Sequence, residues 1–155
     1  MRILLPLALW LSSSCAFAAC PPAGRDRASL QDLKAAKFAM PDAVARNALA
    51  EGLLDCLADP DPSLRDGIAY EAFSAWMRAG TLDTGELRRL RDGLYARLDG
   101  DDRDGFRKPF AALVLSEVAR TDRVAPWMRA GERAAMLERA SVYLESVRDY
   151  RGYED

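Results

Sequence analysis

Apolar positions recur along this chain at three- and four-residue spacings, broken by Pro, Gly and Asp; that period predicts helices. The most apolar run past the N-terminus is Gly105 to Arg120, GFRKPFAALVLSEVAR. Apolar nearly all round, it predicts a central helix packed on several sides, with Phe110, Leu113, Val114 and Val118 buried. Asp104 is its expected cap and Arg120 its last-turn base. Upstream, Ser29 caps a short helix bearing Leu30, Leu33 and Phe38. Pro41 opens a second, with Val44, Ala45, Ala48, Leu49, Leu53, Cys56 and Leu57 on its apolar face. Asp59-Pro60-Asp61-Pro62 stops that helix and starts a third, whose face is Leu64, Ile68, Ala69, Ala72, Phe73, Trp76 and Met77, with Gly80 as its stop. Asp83 and Glu86 form a capping box for a fourth helix striped by Leu87, Leu90, Leu94 and Leu98. Thr121 to Ala125 reads as a loop and Pro126 as a turn. A last helix runs from Glu132 to Asp149, with Met136, Leu137, Ala140, Tyr143, Leu144 and Val147 inward. No strand-period segment occurs, so the predicted fold class is all-α.

Residues 1–19, MRILLPLALWLSSSCAFAA, have a basic start, an apolar core and a small-x-small site. They read as a secretory signal peptide cleaved after Ala18 or Ala19. Residues 20–28 are a linker, and 29–155 a helical repeat-like domain. Export leaves Cys20 and Cys56, and two cysteines in an exported protein predict one disulfide. The alternative is a lipoprotein leader with Cys20 lipidated. Localisation is then periplasmic or secreted, or lipid-anchored through Cys20.

Charge and composition exclude several classes. The 155 residues include 22 basic and 24 acidic ones, with no His. Net charge is −2, or −3 once Arg2 leaves (21 minus 24), which is no footprint for nucleic acid. Without His, neither a Ser-His-Asp nor a Cys-His nucleophile can be built, nor an imidazole metal site. No Gly-rich phosphate loop of standard spacing appears. The acidic turn Asp99–Gly105 departs from a calcium-loop pattern at Arg103, Asp104 and Phe110. We therefore expect no cofactor, no metal site, no integral membrane span and no catalytic residue identifiable by type.

The helices fall into pairs, 42–58 with 62–79 and 85–98 with 105–120. Arg65-Asp66-Gly67 and Arg103-Asp104-Gly105 open the second helix of each pair at an offset of 38 residues, near the HEAT period. Arg91-Asp92-Gly93 repeats the tripeptide out of phase. The expectation is a short HEAT-like α-solenoid of antiparallel pairs. Three stretches, 53–62 (LLDCLADPDP), 64–72 (LRDGIAYEA) and 106–123 (FRKPFAALVLSEVARTDR), resemble an uncharacterised bacterial family, domain of unknown function 2785. The closing 148–152 (RDYRG) is similar to it too. The resemblance spans about residues 30 to 155. It implies an exported, HEAT-like helical protein with no established activity. Family members continue past the RDYRG motif into a segment with paired His-Gly dipeptides, so the resemblance implies that this chain is an N-terminal half, either truncated or a short variant.

Candidate binding residues are the charges beside strongly apolar faces, Arg65, Asp66, Glu71, Glu117, Arg120, Asp122 and Arg123, together with Tyr150 and Tyr153 near the C-terminal end. The same charges could instead be caps and inter-helix ion pairs. Two function classes follow. One is an envelope interaction module for an unknown protein or peptide. The other is the N-terminal half of an enzyme using Asp66, Glu71 or Glu117, which needs two carboxyl groups converging in a cleft. The last helix is apolar over more than one stripe, which predicts an unfinished face and possible self-association through it.

Overall fold

The computed structural model describes residues 20–148. The predicted leader, Tyr150 and Tyr153 lie outside them. Every regular element among the described residues is helical: α1 Arg27–Ala35, α2 Ala43–Leu53, a 3-10 turn Asp55–Ala58, and then one continuous run, here α3, made of α-helical Pro62–Leu64, π-helical Arg65–Tyr70 and α-helical Glu71–Arg78. α4 is Thr84–Asp99, α5 Arg107–Val124 and α6 Ala130–Ser146. The fold class is all-α, as the periodicity predicts.

Carboxylates set most of the helix starts. Asp26 rather than Ser29 caps α1; its Oδ1 accepts the Ser29 N–H at 2.8 Å, and Ser29 Oγ accepts the Asp26 N–H in return. Asp42 accepts from Val44 and Ala45 at the start of α2, so Pro41 lies just outside that helix. Asp61 caps α3 with Pro62 in its first position. Gly80, at φ +64°, ends α3 in a Schellman motif, with Thr81 N–H on Trp76 O and Gly80 N–H on Met77 O. Asp83 caps α4, but Glu86 turns inward instead of closing the box. Asp102, not Asp104, caps α5, accepting the Arg107 and Lys108 N–H groups at 2.9 and 3.1 Å.

One core holds Leu30, Leu53, Leu57, Ile68, Phe73, Leu90, Leu94, Val114 and Val118, all fully buried. Phe38 joins it from a left-handed backbone (φ +59°), a conformation that costs an L-residue about 1 kcal/mol. Its buried ring meets Trp76 edge-on, and its carbonyl accepts the Trp76 indole N–H at 2.8 Å. Cys20 and Cys56 form the expected disulfide, which ties the first described residue to the 3-10 turn.

Four expectations are corrected. Val44, assigned to the face of α2, is 80% exposed, because the buried face runs through Arg46, Leu49, Ala50 and Leu53. α5 is buried on one side only: Leu113 is 41% exposed, and the helix continues to Val124 through the stretch predicted as a loop. It continues because Asp122 points inward, where its Oδ1 accepts the Trp127 and Met128 N–H groups at 2.8 and 2.7 Å. Arg120 therefore lies a turn inside the helix. No residue of α6 is buried; of its expected inward set, Leu137, Ala140 and Leu144 face out.

Second-neighbour helices are tied at near-constant offsets. Arg27 bonds Ser63 and Lys34 bonds Glu71, from α1 to α3. Arg89 reaches Glu51, from α4 to α2. Arg78 binds Glu117, from α3 to α5. Arg91 binds Glu132 and Arg139 pairs with Asp99, between α4 and α6. These partners lie 36, 37, 38, 39, 41 and 40 residues apart. Where a pair of helices has two ties, the later residue of one meets the later residue of the other, so α1 runs in the direction of α3 and α4 in that of α6.

Candidate functional site

The candidate charges do not form one cluster. Arg65, at the π-helical turn, is buried. Its guanidinium donates to the carbonyls of Asp59 and Pro60 and to Asp66, and it lies 4.0 Å from the centre of the Phe106 ring and 4.9 Å from that of Phe110. That sandwich fastens the start of α5 to the turn before α3. Asp66 holds Arg65, and Glu71 on the surface holds Lys34 at 2.9 Å.

Glu117 is buried between Arg78, at 2.5 Å, and Arg120, at 2.7 Å. The Arg78 hydrogen bond, then that from Arg120, keeps its carboxyl below the usual range against the opposing effect of burial. Asp122 is lowered further, first by Arg133 at 2.5 Å and then by the Met128 and Trp127 N–H groups. Arg123 is exposed at the last turn of α5. No two carboxylates among the described candidates converge; Asp66, Glu71, Glu117 and Asp122 each hold their own Arg or Lys.

Three charged residues escape sequence reading. Glu132 accepts the Arg129 N–H and bonds Arg91 and Arg88, which hold it down to about 2. Glu86, fully buried, is pushed up by that burial although Arg89 bonds it. Arg133 clamps Asp122. Opposite charges some 37 to 41 residues apart are the sequence signal that finds Lys34–Glu71, Arg78–Glu117 and Arg91–Glu132.

α6 leans on the body through these bonds rather than through a buried face. The Glu132 and Asp122 clamps fix its first turn, the Arg139–Asp99 pair its middle, and Met136 and Tyr143 pack on the core half-buried. Between α5 and α6 lies an open groove of about 480 Å³. One wall is Ala112, Leu115, Ser116, Ala119 and Arg123, one face of α5 at helical spacing. The other is Arg133, Met136, Leu137, Ala140 and Leu144 on α6. Leu98 and Met128 also line it. Leu137 and Leu144 are 69% and 67% exposed. An apolar groove between two helices with charges at one end is suited to binding a segment by shape and burial.

Among the described residues no group of His, Cys, Asp or Glu is arranged to hold a metal ion. Nor is any of their helices long and apolar enough to cross a membrane.

The arrangement defines an all-helical protein with one disulfide and an open helix–helix groove. Residues 94–155 match the family model described as Protein of unknown function (DUF2785), the family whose motifs the sequence resembles. Every residue lining the groove falls inside that match. No curated protein and no solved structure matches the chain.

Proposed function

We propose that this protein is an exported helical-repeat interaction module of the cell envelope, and that the α5–α6 groove receives an amphipathic helix of a partner protein. The observation that carries the reading is α6: a helix with no buried residue, presenting Leu137, Ala140 and Leu144 beside the apolar wall of α5. Contiguous apolar surface of this kind marks interaction sites on soluble proteins.

The similar offsets between second-neighbour helices support a HEAT-like stack, in which α1, α3 and α5 form one layer and α2, α4 and α6 the other. On that reading 29–155 is a repeat array, and α5 and α6 are the last of its described helices. The Cys20–Cys56 bond supports export, since such bonds persist in oxidising compartments. It also engages the sulfur that lipidation of Cys20 would need.

Binding of a hydrophobic fluorescent dye tests the groove. We expect saturable binding to the wild type, abolished by Ala119→Phe, which fills the groove, and by Leu137→Glu, with thermal midpoints unchanged. A wild type that binds no dye, or variants that bind it equally, contradicts the proposal.

A further inference from the structure

We infer that the partner segment is an α-helix running in the direction of α5 and placing a carboxylate on Arg123. The inference rests on the groove reading and specifies the occupant. α1, α3 and α5 each carry a base in the last turn: Lys34, Arg78 and Arg123. Lys34 reaches Glu71 on α3 at 2.9 Å, and Arg78 reaches Glu117 on α5 at 2.5 Å. In both cases the acid stands on the next helix of the series, and that helix runs in the same direction. Arg123 is the third base. It is exposed, lines the groove, and has no acidic partner among the described residues.

The charge at that end of the groove agrees. Two guanidinium groups, Arg123 and Arg133, stand beside one carboxylate, Asp122. Asp122 is already occupied by Arg133 and by two backbone N–H groups. An incoming carboxylate therefore meets net positive charge, and an incoming base would be repelled.

The walls select the backbone form. They are helix faces, whose main-chain groups are bonded within their own helices, so they offer no ladder to an extended strand. A segment buried there must satisfy its own backbone, as a helix does. Small residues, Ala112, Ser116 and Ala119 on one wall and Ala140 on the other, leave room for close approach. From Arg133 to Leu144 the groove runs about 16 Å at 1.5 Å per residue, roughly three turns of the incoming helix.

The probe is a labelled 15-residue amphipathic peptide with Leu and Ala on one face and one Glu in its third turn. Its control carries Lys in place of that Glu. Fluorescence anisotropy at low salt is read on the disulfide-intact protein and on Arg123→Glu, with sedimentation of each protein alone. The Glu peptide should bind the wild type about fivefold more tightly than the Lys peptide, and Arg123→Glu should reverse the order. Bound peptide should be helical by circular dichroism, and a spin label at its C-terminus should broaden amides near Arg123 and Arg133. Equal affinities with no effect of Arg123→Glu overturn the charge assignment and leave the groove standing. Binding of neither peptide overturns the groove reading and this inference together. Wild-type dimers that Arg123→Glu dissociates make a second copy the occupant and overturn the partner assignment.

Discussion

Two neighbours on α5 should respond to truncation in the reverse of the order their sizes imply. Val114 is fully buried, whereas Leu113 is 41% exposed. Val114→Ala removes two carbons from the core, about 1.6 kcal/mol of transfer free energy at about 0.8 kcal/mol per carbon. A residual void of roughly 50 Å³ adds about 1.2 kcal/mol at about 24 cal/mol per Å³. The better helix propensity of Ala returns about 0.5 kcal/mol, leaving a net cost of about 2 kcal/mol. Leu113→Ala removes three carbons, but only roughly three-fifths of their area is buried, giving about 1.4 kcal/mol. Solvent fills the vacated space, so no void term is added, and Ala returns about 0.2 kcal/mol; the net is about 1 kcal/mol. Urea denaturation followed by far-ultraviolet circular dichroism, with the disulfide intact, resolves the two. With a slope near 2 kcal/mol per molar, Val114→Ala should lower the midpoint by about 1 M and Leu113→Ala by about half as much. A larger loss for Leu113→Ala would refute the one-sided burial of α5.

Acid should release α6 before it unfolds the core. Glu132 is held down to about 2, against an ordinary 4.5, chiefly by the Arg129 N–H and then by Arg91 and Arg88. Asp122 is lowered in the same sense. Because the folded-state values are depressed, their stabilisation is complete above the ordinary carboxylate range and is lost as pH falls from about 4.5 towards 2. Burial of Glu86 acts with the opposite sign, since its raised value makes protonation favour the folded form, but it lies on α4 and not in the α6 clamp. The Trp127 indole N–H, bonded to Thr121 Oγ1, reports the event by NMR; a resonance unmoved down to pH 2 contradicts it. Reduction of Cys20–Cys56, with 36 residues of sequence separation, should lower stability by about 4 kcal/mol on the chain-entropy relation. A urea midpoint unchanged after thiol titration shows full reduction would refute that.

Much of this fold is legible in the sequence because helix starts and stripes are local. Asp61-Pro62, Gly80 and the Leu87–Leu98 stripe follow from cap chemistry and a 3.6-residue period alone, and all stand as expected. The larger errors came from partners outside the helix in question. Asp122 sits in a stretch that reads as a loop, and only the Trp127 and Met128 N–H groups and Arg133 explain why the helix runs past it. Leu113 and Leu137 look like core residues until the elements that do not cover them are known. Arg65 and Glu117 read in the sequence as charges beside apolar faces; the structure gives each its own partners instead of a shared site. The groove itself was foreshadowed by the breadth of apolar positions on the last helix, which exceeds one stripe. Its other wall was not, because Ala112, Ser116 and Ala119 carry no signal distinguishing an open face from a packed one.

The groove between α5 and α6 is proposed to bind a helix. Amide chemical-shift mapping of the disulfide-intact protein, titrated with the Glu-bearing amphipathic peptide, tests it most directly. The expected perturbations centre on Leu98, Ala112, Leu115, Ala119, Met136, Ala140 and Leu144, with Arg123 at one end. Perturbations confined to α1 and α2, or none at saturating peptide, would contradict it.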